Sequence, residues 1–209
     1  MKISSTRKEY KNSKSIFDRG RNPLKKFKAW YKEAEQKVSE PNAFTLSTSY
    51  KNKPSSRIML LKELDNELIF FTNKISRKGK DISSNKYASM VFWWKEINKQ
   101  VRIEGKLREL PKEDVIKYFY SRPRESQIGA LASIQSSKLD SYNDLISKFE
   151  EIQNQYLATN KKIPMPKSWV GYILDPELIE FWQGGSHRLH QRLEFKRNRN
   201  RWIKSVLSP

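Results

Sequence analysis

Four segments of this 209-residue chain carry side chains whose types and spacing could do chemistry. In RIMLLK, Arg57 and Lys62 bracket an apolar run. Residues five apart in a strand point to opposite faces, so these cations could serve two different anions. A buried strand with solvated charged ends would read the same way. Arg77 and Lys78 stand where a short helix can begin after Asn73, and the unpaired N–H groups of a helix start would add to them as phosphate donors. In YFYSRPRESQIGA, Tyr118 and Arg122 lie four apart on a helical face, and Ser126 follows just beyond Pro123. Phenol, guanidinium and hydroxyl together suit a phosphomonoester, whose oxygens an Arg can meet two at a time through its planar fork. A helix end with a solvated Arg is the plainer alternative. Near the C-terminus, WQGGSHRLHQR sets Arg188, His190 and Arg192 at alternating positions, which share one face if the stretch is extended. His187 and His190 find no Cys and no carboxylate at ligand spacing, so no metal is expected. Trp182 fits a core or a barrel rim as well as a cofactor wall.

The elements that must position these groups can be read from periodicity. Asn22-Pro23 has the form of a helix cap followed by Pro at the first helical position, and Leu24, Phe27, Tyr31, Ala34 and Val38 predict a helix over 23–39. After Pro41 come short β-rich runs at 43–50, 56–62, 67–72, 88–94 and 101–110, separated by turn residues. Strands so closely spaced imply an antiparallel sheet or barrel. Pro111, with Glu113 and Asp114 in the first turn, opens a second helix, and a third is expected over 142–156. Strands return at 169–174, 178–182 and 192–196, with Gly184-Gly185 marking a turn.

Composition bounds the rest. The length suits one domain, and 12% aromatic residues supply a core in spite of 31% charged ones. With no Cys, disulfides, thiolate metal sites and Cys nucleophiles are excluded. There is neither an apolar run long enough to span a membrane nor a secretory signal, which predicts a soluble, cytoplasmic protein. A formal charge of +19 attracts polyanions without choosing among them, and residues 1–28 alone hold ten Lys or Arg against two acids. Those residues could be a nucleic-acid arm or a transit segment as far as charge goes.

Taken together, these segments resemble the pyridoxine 5'-phosphate oxidase family. The resemblance covers nearly the whole chain in order. It runs from RKEY at 7–10 through RIMLLK, FTN, SRKG, KQVRIEGK, YFYSRPRESQIGA and QSS to IEFWQGGSHRLHQR, Trp202 and the terminal LSP. It implies a mainly β fold with flanking helices, the FMN-binding split β-barrel (antiparallel, Greek-key type). It also implies a single domain over 1–209 with a mobile basic segment over 1–22, and a homodimer with active sites at its interface. The implied activity is FMN-dependent oxidation of pyridoxamine and pyridoxine 5'-phosphates to pyridoxal 5'-phosphate, with dioxygen as acceptor and hydrogen peroxide as product. By matching motif, FMN would be held by Arg57, Ile58, Met59, Leu60, Leu61, Lys62, Phe71, Thr72, Arg77 and Lys78, and its site completed by Gln100, Gln135, Ser136, Trp182 and Arg192. Lys62, Tyr118, Arg122 and Ser126 would hold the substrate phosphate, and Arg188, Leu189 and His190 would address its ring, with Arg188 and His190 catalytic. Arg7, Lys8, Glu9 and Tyr10 would cover the pocket. Two positions depart from the pattern: Phe71 stands where an aromatic hydroxyl is common, and Gln191 replaces an acidic residue. Two rivals are another split-barrel FMN oxidoreductase, which would not need the phosphate and ring contacts together, and a basic nucleic-acid-binding protein. The second would need cations and aromatics clustered on one sheet face.

Overall fold

The computed structural model describes residues 9–10, 14–63, 67–157 and 161–209. Along the chain run α1 (Pro23–Glu35), β1 (Ala43–Tyr50), β2 (Lys53–Leu60), β3 (Leu68–Asn73), α2 (Arg77–Ser84), β4 (Tyr87–Trp94) and β5 (Lys99–Glu109). They are followed by α3 (Lys112–Ser121), α4 (Arg124–Ala132), α5 (Tyr142–Leu157), β6 (Trp169–Gln183), β7 (Gln191–Asn198) and β8 (Arg201–Leu207). The eight strands form one antiparallel sheet in the order β2-β1-β4-β5-β6-β7-β8, with β3 on β6. A lone bridge between Glu63 and Ile69 links the end of β2 to β3, so the sheet is not closed.

Local chemistry sets the boundaries. Asn22 caps α1 by accepting the Lys25 N–H at 3.0 Å, with Pro23 at the first helical position. The helix stops at Glu35, short of the predicted 39, where the Lys37 N–H turns back to the Ala34 carbonyl in an i→i−3 bond that tightens the last turn. Lys51 and Asn52 take positive φ (48° and 60°) in a two-residue turn of the kind that matches strand twist, which pairs Tyr50 with Lys53 and starts β2 three residues before the expected 56.

The two strands expected at 169–174 and 178–182 are one long β6, irregular at Asp175-Pro176. There its register with β5 shifts at Gly105, where a Cβ would lie 2.1 Å from the Asp175 carbonyl oxygen, so only glycine allows this approach. β5 runs along one edge of β6 from Tyr172 to Gln183, while the other edge carries β3 on its first half and β7 on its second. Two elements were not expected at all: α4, hidden behind Pro123, and β8, whose hairpin turns through Arg199 at φ 52° with no glycine to signal it.

Alternate residues of the central strands, Phe92, Val101, Ile103, Ile179, Phe181, Leu193 and Phe195, are fully buried beneath α1. Phe27 of α1 packs against Phe92 and Trp94 with ring centroids 5.0 and 6.1 Å apart, and Trp30 meets Phe181 edge-on at 5.1 Å. Lys99 of β5 ties the helix down by donating to Glu33 at 2.5 Å, its ammonium 4.5 Å from the Trp30 ring centroid. Among the described residues no helix is long and apolar enough to cross a membrane. Because Phe27 is fully buried between aromatic neighbours that cannot collapse into its place, Phe27→Ala should cost about 3–5 kcal/mol in denaturant unfolding. A loss under about 1 kcal/mol would show that α1 is not part of the cooperative core.

Candidate functional site

A first cluster gathers three cations around one acid. Arg57 sits on the face of β2 shared with Ser55 and Met59, and donates to Thr48 Oγ1 and Ser55 Oγ at 2.8 Å and to the Leu46 carbonyl at 3.1 Å. Its guanidinium is 3.6 Å from Asp81, which also accepts from Thr48 Oγ1 at 2.7 Å. Arg77 and Lys78 begin α2, capped by Ser76. Buried Lys78 donates to Gln135 Oε1 at 3.0 Å, and Thr72 Oγ1 donates to the same oxygen at 3.1 Å. Arg77, Asp81, Gln135 and Ser136 line a cavity of about 550 Å³.

Burial lowers the Lys78 pKa, and the charge of Arg57 lowers it further. Burial likewise lowers that of Arg57, with Asp81 opposing and Arg77 reinforcing the shift. Half-buried Arg57 and buried Lys78, with exposed Arg77 beside them and one carboxylate among them, form a hole for an anion. Of the other RIMLLK residues, Leu61 is buried, Met59 packs on the core, Leu60 is half-buried and Ile58 is exposed.

A second cluster is a row across three strands. Gln100 is paired with Trp182 and Trp182 with Arg192. Their chain neighbours Val101, Phe181 and Leu193 fill the core, so this row stands on the opposite sheet face. Two residues along β6, Glu180 is buried on the same face and receives Arg192 Nε at 2.8 Å, Arg192 Nη2 at 3.1 Å and Arg102 Nη1 at 3.1 Å. Arg192 also donates to the Ser208 carbonyl at 2.9 Å, and the Glu180 bond is the main reason its pKa is raised. The sequence reading missed Glu180 and Arg102. The two-residue spacing of Glu180 and Trp182 was the available signal.

Next to this row, the expected alternation of Arg188, His190 and Arg192 is not found. Ser186–Arg188 is a single tight turn with His187 and Arg188 at φ 54° and 64°, and the strand begins only at Gln191. Arg188 and Leu189 are therefore exposed. His190 lies 4.7 Å from the Trp182 ring and accepts the Gly185 N–H on Nδ1 at 3.2 Å, which places the proton of the neutral ring on Nε2. Tyr10 meets both Trp182 and His190 edge-on at 5.7 Å, and its carbonyl accepts from Ser186 Oγ at 3.0 Å. Glu9 is exposed, while Arg7 and Lys8 lie outside the described residues.

The third cluster surrounds the end of α3. Arg122 is the C-cap rather than a helical residue, so the expected helical face breaks between it and Tyr118. Its Nη2 donates to the backbone carbonyl of Ser126 at 2.8 Å, whereas Nη1 is buried without a partner. Tyr118 lies flat on Phe71 at 3.7 Å and opens, with Phe71 and exposed Lys62, onto a cavity of about 390 Å³ that Arg122 and Ser126 do not line. Burial raises the Tyr118 pKa and lowers that of Arg122. Lys62 lies past the end of β2, in surroundings separate from those of Arg57. A further cavity, about 930 Å³ between α1 and β8, is lined by none of the predicted site residues. No metal-binding group of His, Cys, Asp and Glu occurs among the described residues.

Comparison with known proteins gives two family matches: pyridoxamine 5'-phosphate oxidase over residues 31–156, and the pyridoxine 5'-phosphate oxidase C-terminal dimerisation region over 169–209. The chain is 48% identical to a pyridoxine/pyridoxamine 5'-phosphate oxidase of Leptospira biflexa, covering 91% of this chain and 90% of that protein. It is 42% identical to a pyridoxine-5'-phosphate oxidase of Bos taurus, covering 94% and 78%. The crystal structure of PhzG from Burkholderia lata superposes with a TM-score of 0.86 at 32% identity, covering 92% of this chain and 95% of that one.

The surroundings of His190 generate a pH prediction. Burial, and then the charge of Arg188, lower its pKa from the ordinary 6.5. The folded ring thus binds fewer protons than the unfolded one. Its contribution to stability is complete above pH about 6.5 and is lost as pH falls through the lowered value. In an NMR titration His190 should give a midpoint below 6.5 that rises in Arg188→Ala, and a midpoint above 6.5 in the parent would contradict this electrostatic picture.

Proposed function

Because this chain belongs to the pyridoxamine 5'-phosphate oxidase family, we propose that it binds FMN and oxidises pyridoxamine and pyridoxine 5'-phosphates to pyridoxal 5'-phosphate in the cytoplasm, with dioxygen as acceptor and hydrogen peroxide as product. The cationic trio Arg57, Arg77 and Lys78 carries the reading: Lys78 is buried, Arg57 half-buried and Arg77 exposed at the rim, and Asp81 alone offsets the mutual repulsion at Arg57 among the described residues. A phosphate dianion relieves that repulsion and fits the donor set, so the site suits the FMN phosphate. Thr72, Gln135 and Ser136 border the same place, and Gln100, Trp182 and Arg192 offer a flat ring flanked by polar groups to the isoalloxazine. That row stands on the sheet face away from the core, which favours a homodimer whose second protomer completes the site, with residues 1–209 as one catalytic unit.

We assign the substrate phosphate to Lys62, Tyr118, Arg122 and Ser126: Lys62 and Tyr118 line the cavity, and Arg122, outside its lining but within electrostatic reach of Tyr118, holds a buried, unpaired Nη1 as a spare donor. When bound, FMN supplies an acceptor for the hydride leaving the substrate carbon that bears the amine or hydroxyl. The protein's share is orientation. His190, its Nδ1 engaged by Gly185, presents Nε2–H, exposed Arg188 adds a cation beside the pyridine ring, and Tyr10 closes over Trp182 and His190 to limit water. The net charge of +19 draws the phosphorylated substrate toward the protein.

Purified protein should be yellow, release FMN, and form pyridoxal 5'-phosphate and peroxide from pyridoxamine 5'-phosphate in air. Bound flavin without that turnover would point instead to another split-barrel oxidoreductase. Because Arg57 and Lys62 occupy different surroundings, Arg57→Ala should raise the FMN Kd and Lys62→Ala the KM for the phosphorylated substrate, each by roughly ten- to a hundredfold. Indistinguishable effects on the two ligands would refute the separate assignments.

A further inference from the structure

One indole touches Arg122 directly and reaches Tyr118 through Phe71, without itself belonging to the proposed phosphate-binding pair. Trp169, the first residue of β6, lies under Arg122, whose guanidinium carbon is 4.4 Å from the ring centroid. The same indole is parallel to Phe71 (9°, 6.5 Å), and Phe71 is parallel to Tyr118 (11°, 3.7 Å). Phe119, next to Tyr118 on α3, meets Trp169 edge-on at 5.8 Å. Two residues along β6, Gly171 is paired with Phe71, and a Cβ there would come within 2.8 Å of the Phe71 ring. The missing side chain lets that ring lie flat. Tyr118, Phe71, Trp169 and Arg122 thus make a continuous aromatic and cationic stack seated on the start of β6.

We propose that Trp169 is a positioning residue for substrate phosphate, holding Arg122 and, through Phe71, Tyr118 in their ligand-ready orientations; this rests on the functional reading above. A guanidinium free to rotate loses that freedom on meeting an anion, and one already stacked has less to lose. The Ser126 carbonyl fixes one edge of the Arg122 fork and the indole face fixes its plane, leaving Nη1 buried and unpaired. Trp169 Nε1 is itself buried without a hydrogen-bond partner, so what the residue contributes is its flat face. Phenylalanine should therefore substitute for it where an aliphatic side chain cannot.

The test compares Trp169→Leu and Trp169→Phe in the flavin-loaded protein, using pyridoxamine with and without its 5'-phosphate. Trp169→Leu should raise the KM for the phosphorylated substrate about tenfold, in keeping with a lost cation–π contact, while kcat changes by less than about twofold. Flavin affinity and kcat/KM for unphosphorylated pyridoxamine should not change. Trp169→Phe should stay within about threefold of the parent KM. Calorimetric binding of pyridoxal 5'-phosphate should weaken in parallel, giving a readout independent of turnover. Equal losses with both substrates, or a Trp169→Phe no better than Trp169→Leu, would overturn the proposal. If Trp169→Leu does not fold, Trp169→Met, which restores volume without a ring, carries the same expectation. A parent protein that does not prefer the phosphorylated substrate would defeat the functional reading itself, before any variant is compared.

Discussion

The structure depends on the two-residue alternation of β6. A strand shows successive side chains to opposite faces, and over its fifteen residues β6 uses both at once. Ile179 and Phe181 go to the core, while Glu180 and Trp182 go to the face that carries the row of Gln100, Trp182 and Arg192. At its other end, Val170 and Tyr172 are buried, while Trp169 and Gly171 shape the stack beneath Arg122 and Tyr118. A one-residue slip would exchange the faces and empty core and site together. The irregularity at Asp175-Pro176 lets one edge of this strand serve β3 in its first half and β7 in its second. β3 then joins two of the clusters, since Thr72 reaches Gln135 beside Lys78 while its neighbour Phe71 reaches Tyr118.

Electrostatics works at two levels. Across the whole chain, the excess of cations acts as a field for anions and says nothing of fold. Within the site, the two buried carboxylates Asp81 and Glu180 act locally. Glu180 accepts from two arginines and fixes Arg192 in the row, so that cation is already satisfied. Asp81 is shared between Arg57 and the Thr48 hydroxyl, and buried Lys78 beside them has the neutral Gln135 oxygen rather than a carboxylate as its partner. The contrast separates a cation already paired with a carboxylate from cations short of counter-charge, which a count of basic residues cannot do.

Much of this was legible in the sequence because local signals and tertiary structure agree. The cap at Asn22-Pro23, the β1 run and the third helix all fall within a residue or so of expectation at their starts. Elements were misread where the deciding term is not local. The continuity of β6 through Pro176 depends on a glycine seventy-one positions earlier making room for it, and β8 has no turn signal because Arg199 takes positive φ itself. The alternation expected of Arg188 and His190 failed for the same reason: two non-glycine residues at positive φ break the strand where the letters suggest none. Motif resemblance pointed to the cations and rings proposed for the site, but it could not find Glu180 or Trp169, which stand out only through what they touch.

Gln191 shows how a single departure from the family's pattern is absorbed. Its side-chain oxygen accepts the Ile16 N–H at 2.9 Å, tying the chain ahead of α1 to the start of β7. A carboxylate could make that bond as well, but it would add a negative charge one residue from His190. Such a charge would favour the protonated imidazole and pull its pKa upward. With a neutral amide there, the charge acting on His190 is that of Arg188, which pushes the other way, as burial does. The ring is thereby kept neutral near physiological pH with its Nε2 proton available to donate, while the tether to Ile16 is retained.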